Sequence, residues 1–309
     1  MSKVLILGGV IIDQYYMVSD YPRCGTDTFI SEAFKIPGGC SLNVAATLKN
    51  LGCEPYLYSK VGTDAEGAQI IDYLKQKGMD TQFIKSVEAP TDYCLVIVDK
   101  SGERTFFTHE KLGREISIET SEAFLELPFH SVYVTGYFMV RTKMPSNNVA
   151  LLNHLSGRGT KILFDPSAVA GEIELDVLKA LLELADIITP NQHEAEMMAQ
   201  KLGAPLEDFI KRGCCLICKD GGNELSITVD GHVQHMQPYQ AKVVDTTGAG
   251  DSFAAGLLYG LSEGMTLQES VKVGMACGAI TTTFKEPHGI FGIEDIEKII
   301  EIGSVKYDK

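Results

Sequence analysis

Between Val132 and Asn191 short apolar runs alternate with helix-patterned stretches, and no other feature narrows the possible fold so far. Val132-Tyr133-Val134 precedes a helical stretch from about Pro145, Lys161-Ile162-Leu163-Phe164 precedes one over Leu175–Leu184, and Asp186-Ile187-Ile188 precedes one from Asn191. Strands that alternate with helices build a parallel sheet covered on both faces, with right-handed crossovers. The Val4-Leu5-Ile6-Leu7 run, closed by Gly8-Gly9, reads as a further buried strand of that sheet. The expected class is therefore α/β in three layers: a mostly parallel central sheet with helices on both faces. Ligands of open α/β sheets lie beyond the carboxyl ends of the strands. Asp13 and Asp165 fall there, although taken alone Asp13 reads first as a solvated turn aspartate.

Other segments do not belong to that alternation. Tyr93–Val98 and Arg104–Thr108 are strand-like and joined at Lys100-Ser101-Gly102-Glu103, which reads as a hairpin. With strand-like pieces near Tyr15 and over Thr26–Ile36 they make a small sheet, a lid drawn from about 14–36 and 92–109. On such a lid Arg104 and His109 either reach substrate or lie on its surface. Thr63 and Glu66 have capping-box spacing ahead of a helix that buries Ile70, Ile71 and Leu74. Two last helices are expected over Leu267–Thr282 and Ile293–Ile302. In the first, Gly274, Ala276, Gly278 and Ala279 suit either close helix packing or the approach of a flat ring. With no internal repeat, low-complexity tract or linker, residues 1–309 read as one domain.

Composition removes several classes of partner. A formal net charge of −14 repels nucleic acid and anionic membrane, so a phosphate-bearing ligand has to be held by local amides, lysine or metal. No apolar run approaches the roughly 20 residues that cross a bilayer. The eight cysteines are scattered in a chain without an export signal, which points to reduced thiols and the cytoplasm. Cys215 and Cys218 with His232 and His235 have zinc-like spacing, but both segments read as strands, where residues three apart face opposite ways.

Three stretches carry chemistry. In Asp245-Thr246-Thr247-Gly248-Ala249-Gly250-Asp251-Ser252-Phe253 a polar turn runs into a helix with an apolar stripe at Phe253, Leu257 and Leu261. Its small residues uncover the first amides of the helix, which lack intrahelical partners and attract an anion. Asp251 beside that anion is unfavourable for mere phosphate binding but suited to taking a proton from an attacking hydroxyl. The plain alternative is a glycine turn with an acid favourable to the helix dipole. Pro37-Gly38-Gly39-Cys40-Ser41-Leu42-Asn43 opens a helix ending at Asn50-Leu51-Gly52. There Gly38 and Gly39 expose backbone, and Asn43 both donates and accepts, which suits a polyhydroxylated ligand or a bland capped helix. In Thr189-Pro190-Asn191-Gln192-His193-Glu194, Asn191 and Glu194 form a capping box or organise the waters of a magnesium ion.

Taken together, these stretches resemble the PfkB-type, ribokinase-like family of carbohydrate kinases, from Gly8 to about Gly289. Asp245 to Asp251 matches the family's Asp-Thr-x-Gly-Ala-Gly-Asp signature, Pro37 to Asn43 its glycine-glycine signature, and Asn191 to Glu194 its Asn-x-x-Glu motif. The resemblance implies a ribokinase-like fold with a β lid and ATP-dependent phosphorylation of a hydroxymethyl group on a small sugar or sugar acid. It implies Asp251 as general base, the amides of Gly248, Ala249 and Gly250 as anion hole, and Asp13, Gly38, Gly39 and Asn43 around the acceptor. Asn191 and Glu194 would serve magnesium, and Asp245 and Thr247 a monovalent cation such as potassium, although Phe284–Gly292 departs from the usual pattern. Lys219 and Gly221 fall at the nucleotide loop, where Lys replaces a usual Thr and Glu224 a usual Gly. Cys40 stands where kinases of phosphorylated sugars often carry Lys, which favours a neutral acceptor. The alternatives are a nucleoside kinase and a ligand-binding relative without catalysis. The edge strands of the lid suggest a homodimer.

Overall fold

The central strand, β1 (Lys3–Leu7), buries Val4 and Ile6 against one helical layer and Leu5 and Leu7 against the other. That two-sided burial marks a strand inside a parallel sheet. The computed structural model describes residues 2–116, 118, 123–140 and 143–303; both ends of the expected 1–309 range lie outside the described residues. In chain order there follow β2 (Ile11–Val18), β3 (Ile30–Gly38), α1 (Cys40–Asn50), β4 (Glu54–Gly62), α2 (Ala65–Gln76), β5 (Ile84–Val87), β6 (Tyr93–Val98) and β7 (Arg104–His109). Next come β8 (Ser131–Thr135), α3 (Gly136–Met139), α4 (Pro145–Gly157), β9 (Lys161–Asp165), α5 (Leu175–Leu184), β10 (Ile187–Ile188) and α6 (Gln192–Leu202). The chain continues through β11 (Cys215–Cys218), β12 (Leu225–Val229), β13 (His232–Met236), α7 (Ala249–Ser262), α8 (Leu267–Thr281) and α9 (Ile293–Ile302).

The large sheet has the order β13-β12-β11-β10-β9-β8-β1-β4-β5, parallel from β5 to β11 and antiparallel at β12 and β13. From β1 the chain builds outward one way through β4 and β5 and the other way through β8 to β11. The switch point is therefore the crevice between β1 and β8. Helices α3 to α6 cover one face, while α1, α2, α7 and α8 cover the other. A Cβ on Gly256 would meet Cys277 and Gly274, and one on Gly274 would meet Phe253, so the small residues of α8 serve close packing against α7.

The second sheet, β3-β2-β6-β7, pairs β2 with β3 and β6 with β7 antiparallel and β2 with β6 parallel. Tyr15, Cys94, Val96 and Val98 make its buried cluster. Two local expectations are corrected. Strand β3 starts at Ile30 rather than Thr26, because Thr26 is held in a turn by bonds from both its N–H and its hydroxyl to Arg23 O, each 2.9 Å. Helix α2 is capped by Asp64, not Thr63: its carboxylate accepts from Gly67 N at 2.9 Å and from Thr91 N at 2.7 Å, while Glu66 pairs with Lys35 at 2.9 Å.

Candidate active site

Helix α7 starts on Gly248, which has φ 78° and no side-chain cap. An L-residue there would be strained, and its Cβ would come within 2.5 Å of the Pro287 carbonyl oxygen. Ala249 N–H turns back on Thr246 O at 3.2 Å, and Ser252 N–H bonds Gly248 O at 2.8 Å. Helix α1 starts in the same way, on Gly39 at φ 92° with no side-chain cap. A Cβ on Gly38 would run into the Asp13 carboxylate, so the glycine lets the end of β3 close over that acid.

These two helix starts face each other. Asn43 Nδ2 donates to Asp251 Oδ2 at 2.8 Å, and a chain of hydroxyls locks the arrangement: Thr47 and Ser252 lie 3.1 Å apart, and Thr281 donates to Ser252 at 2.8 Å. Burial pushes the Asp251 carboxyl up to about 6; the Asn43 hydrogen bond opposes the rise, the Asp165 charge adds to it, and the Cys40 thiol and Lys219 ammonium pull it back. Burial, followed by the charge of Asp251, pushes Asp13 up to about 7. Asn43 Oδ1 and Ser41 Oγ are buried with no hydrogen-bond partner among the described residues. A buried acceptor without a donor is costly unless a ligand supplies one. Beside two buried carboxyl groups, such atoms suit an acceptor bearing several hydroxyls.

On the far side of α7 the backbone of Lys219 bridges Asn191: Lys219 N donates to Pro190 O at 2.9 Å, and Gln192 N to Lys219 O at 3.1 Å. Asn191 and Glu194 form a full capping box, each side chain accepting the other's N–H at 2.8 Å. Glu194 is buried, and burial together with Asp165 raises its carboxyl above the usual range. A cleft of about 410 Å³ opens here, lined by Asn191, Gln192, Lys219 and Gly221 among others. Gly221, at φ 54° and exposed, forms its rim. The side chain of Lys219 runs inward instead, to 3.4 Å from Asp165 Oδ2 and 5.8 Å from the Phe253 ring centroid. Among the described residues no three His, Cys, Asp or Glu side chains converge to ligate a metal.

Asp245 is buried, and each of its oxygens meets a partner. Oδ1 accepts from Thr247 N at 2.7 Å, and Oδ2 pairs with Arg104 of β7 at 2.6 Å. Of the two lid residues singled out in the sequence, Arg104 thus turns inward to Asp245, while His109 stacks on Tyr93 with ring centroids 5.0 Å apart. Asp165 and Cys40 join the site without having been assigned to it. Asp165 had one signal, its place at the end of a strand on the ligand-bearing edge; Cys40 had its place in the glycine-glycine signature, where relatives often carry Lys.

The sequence profile described as pfkB family carbohydrate kinase matches residues 1–288. The chain belongs to this family. As a pfkB kinase it is 24% identical to a ribokinase of Lactococcus lactis over 91% of each chain. It is 26% identical to a nucleoside kinase of Methanocaldococcus jannaschii over 92% of each, and a solved structure of that organism's nucleoside kinase superposes with a TM-score of 0.84 over 98% of this chain and 99% of the other. An Arabidopsis thaliana ribokinase complexed with ribose and ATP superposes with a TM-score of 0.82 at 20% identity, over 97% and 99%. The fold is therefore ribokinase-like, with a separate small sheet beside the large one. The chain is a kinase of this family.

Proposed function

We propose that this pfkB kinase transfers the terminal phosphoryl group of ATP to a hydroxymethyl group of a small, unphosphorylated sugar or sugar acid. The observation that carries the reading is the 2.8 Å bond from Asn43 to the buried Asp251 carboxylate. It joins the candidate acceptor-binding turn to the candidate anion-binding turn at one point. Asp251, with its carboxyl near 6, is ionised at neutral pH and close enough in basicity to take the hydroxyl proton. The freed oxygen attacks the terminal phosphorus in line, the bond to the bridging oxygen breaks, and ADP leaves. The amides of Gly248, Ala249 and Gly250 meet the charge on the group in transit, Ala249 exchanging its bond to Thr246 for the phosphoryl oxygen. Asp13, Gly38, Gly39 and Asn43 hold the acceptor, and Lys219 and Gly221 border the nucleotide.

Asp165 and Glu194 bring two buried carboxyl groups to the phosphate side without a converging triad, a donor set that fits a hydrated hard cation. Asn191 and Glu194 are the residues that would hold magnesium, through water, and its chemistry there is neutralisation of the phosphate chain. The Arg104 guanidinium, which pairs with Asp245 Oδ2 at 2.6 Å, opposes a potassium ion at Asp245 and Thr247 by its charge, so no step is assigned to that ion.

The nucleoside reading has its own support in the M. jannaschii relative. An ADP-release screen with ATP and magnesium across sugars, sugar acids and nucleosides separates the two by the acceptor preferred. Turnover with none of them favours a binding protein without catalysis. The edges of β3 and β7 and the exposed Phe29, Phe106 and Phe107 make the lid the surface through which we propose a homodimer, which light scattering tests by finding two chains per particle. Eight free thiols suit the cytoplasm as its compartment.

A further inference from the structure

We infer that Lys219 is a catalytic residue of the phosphoryl transfer, its ammonium group neutralising the group in transit, and that Asp165 is the residue that positions it. The inference rests on the phosphotransfer reading and goes beyond it. It assigns to Lys219 a part in the chemical step in addition to a place beside the nucleotide.

The backbone of Lys219 is pinned on both sides by its bonds to Pro190 and Gln192, which fixes the root of the side chain. From there the ammonium reaches the first turn of α7, where a Cβ placed on Gly250 would lie 3.5 Å from Nζ. The anion-hole amides and this cation therefore share one neighbourhood, and an oxygen seated on the Gly250 N–H falls within reach of both. The glycine at 250 leaves the ammonium this approach.

The contact with Asp165 is that of a holder rather than a closed ion pair. At 3.4 Å it is well outside the roughly 2.7–2.9 Å of a strong charge-assisted bond. Asp165 divides its oxygens among other donors: Ser167 N reaches Oδ1 at 3.1 Å, and Thr189 Oγ1 reaches Oδ2 at 3.4 Å. An ammonium has three N–H donors, so this loose pairing leaves capacity for a second anion. The Phe253 ring below it supports a cation without claiming its donors.

The surrounding charge calls for such a group. Asp13, Asp165, Glu194 and Asp251 are all buried around the transfer point, in a chain of net charge −14. Without a fixed cation that cluster would repel a triphosphate. In the step itself the acceptor oxygen bonds phosphorus, the bridging oxygen departs with its electron pair, and the proton goes to Asp251. Lys219 moves no proton.

The test uses Lys219→Met and Asp165→Asn in the full chain, with Asp251→Asn alongside. Lys219→Met should lower kcat by about 100-fold or more, the loss expected for one charge-stabilising donor, while the Kd for ADP, read by calorimetry, changes by less than about threefold. The pH profile separates a charge effect from a structural one. The groups facing Asp251 are Asn43 and Cys40 of α1, Asp13 of β2, Asp165 of β9 and Lys219, with Tyr133 of β8 and Tyr137 of α3 beyond them. Removing the ammonium should move the acid limb of kcat/KM to higher pH, and removing the Asp165 charge should move it to lower pH. A Lys219→Met enzyme with unchanged kcat and weakened ADP binding overturns the inference and leaves a nucleotide holder. Limbs that stay put, or move together, overturn it as a merely structural pair. Absence of transfer from ATP by the wild-type chain to any acceptor overturns the phosphotransfer reading beneath it, and full turnover in Asp251→Asn overturns Asp251 as its base, whereas loss there with normal Lys219→Met turnover sinks this inference alone.

Discussion

Four helices of this kinase start in two different ways. Helices α6 and α8 start with complete capping boxes, Asn191 with Glu194 and Thr266 with Glu269. Helices α1 and α7 start on left-handed glycines, Gly39 and Gly248, with no side-chain cap. A cap contributes about 1 kcal/mol over alanine but only a few tenths over glycine, so α1 and α7 forgo little stability by starting on Gly39 and Gly248. Those two are also the helices whose first turns meet through Asn43 and Asp251. Among these four, the two starts left open on glycine are the ones whose first turns meet where the candidate chemistry gathers.

The sharpest way to break that contrast is to close an open start. Gly248→Ala puts a Cβ against the Pro287 carbonyl and strains the turn, and kcat should fall by about 1000-fold as the amides lose their aim, while most of the protein stays folded by circular dichroism. Near-normal turnover would separate the open helix start from catalysis. Asn43→Ala removes the donor that lowers the Asp251 carboxyl and an orphaned acceptor facing the ligand. KM for the acceptor should rise by about tenfold or more, the worth of one hydrogen bond to a charged group, and the acid limb of the pH profile should move upward.

The wild-type profile tests the same region without mutation. Asp251 near 6 and Asp13 near 7 are both raised carboxyl groups, protonated below those values and ionised above them. Below pH 6 no base is available, so kcat/KM should climb as pH rises through 6 to 7. A rate that stays flat down to pH 4 contradicts the buried pair.

The closed starts should respond differently. Asn191→Ala should cost about 1 kcal/mol of stability and, if its helix start also serves magnesium, raise the magnesium concentration needed for half-maximal rate. Thr266→Ala removes an equivalent cap far from any proposed ligand. It should cost the same roughly 1 kcal/mol, read as a few degrees in Tm, and leave kcat/KM unchanged. A catalytic loss in Thr266→Ala would erase the distinction between the two kinds of start.

Local patterns were legible in the sequence because they are written within a turn or a strand. The run from Gly248 to Asp251, the glycines before Cys40, the alternation that buries β1 on both faces and the hairpin of the lid all follow from residues close together in the chain. What stayed hidden depends on distant segments meeting. Asn43 and Asp251 lie 208 residues apart, and the fold at the β1/β8 switch point brings them to one bond. Arg104 belongs to the small sheet, and only the folded chain shows its 2.6 Å pairing with Asp245 of the distant signature turn. Even the start of α2 turned on a long-range partner, since Asp64 is drawn into the cap role partly by Thr91.

Single-turnover transfer from ATP by Asp251→Asn, at saturating acceptor and with ADP affinity measured in parallel, bears most directly on the meeting of the two open helix starts. The rate should drop by about 1000-fold, within the range a general base supplies, with ADP binding unchanged. A rate within about tenfold of wild type, well short of that range, contradicts Asp251 as the base.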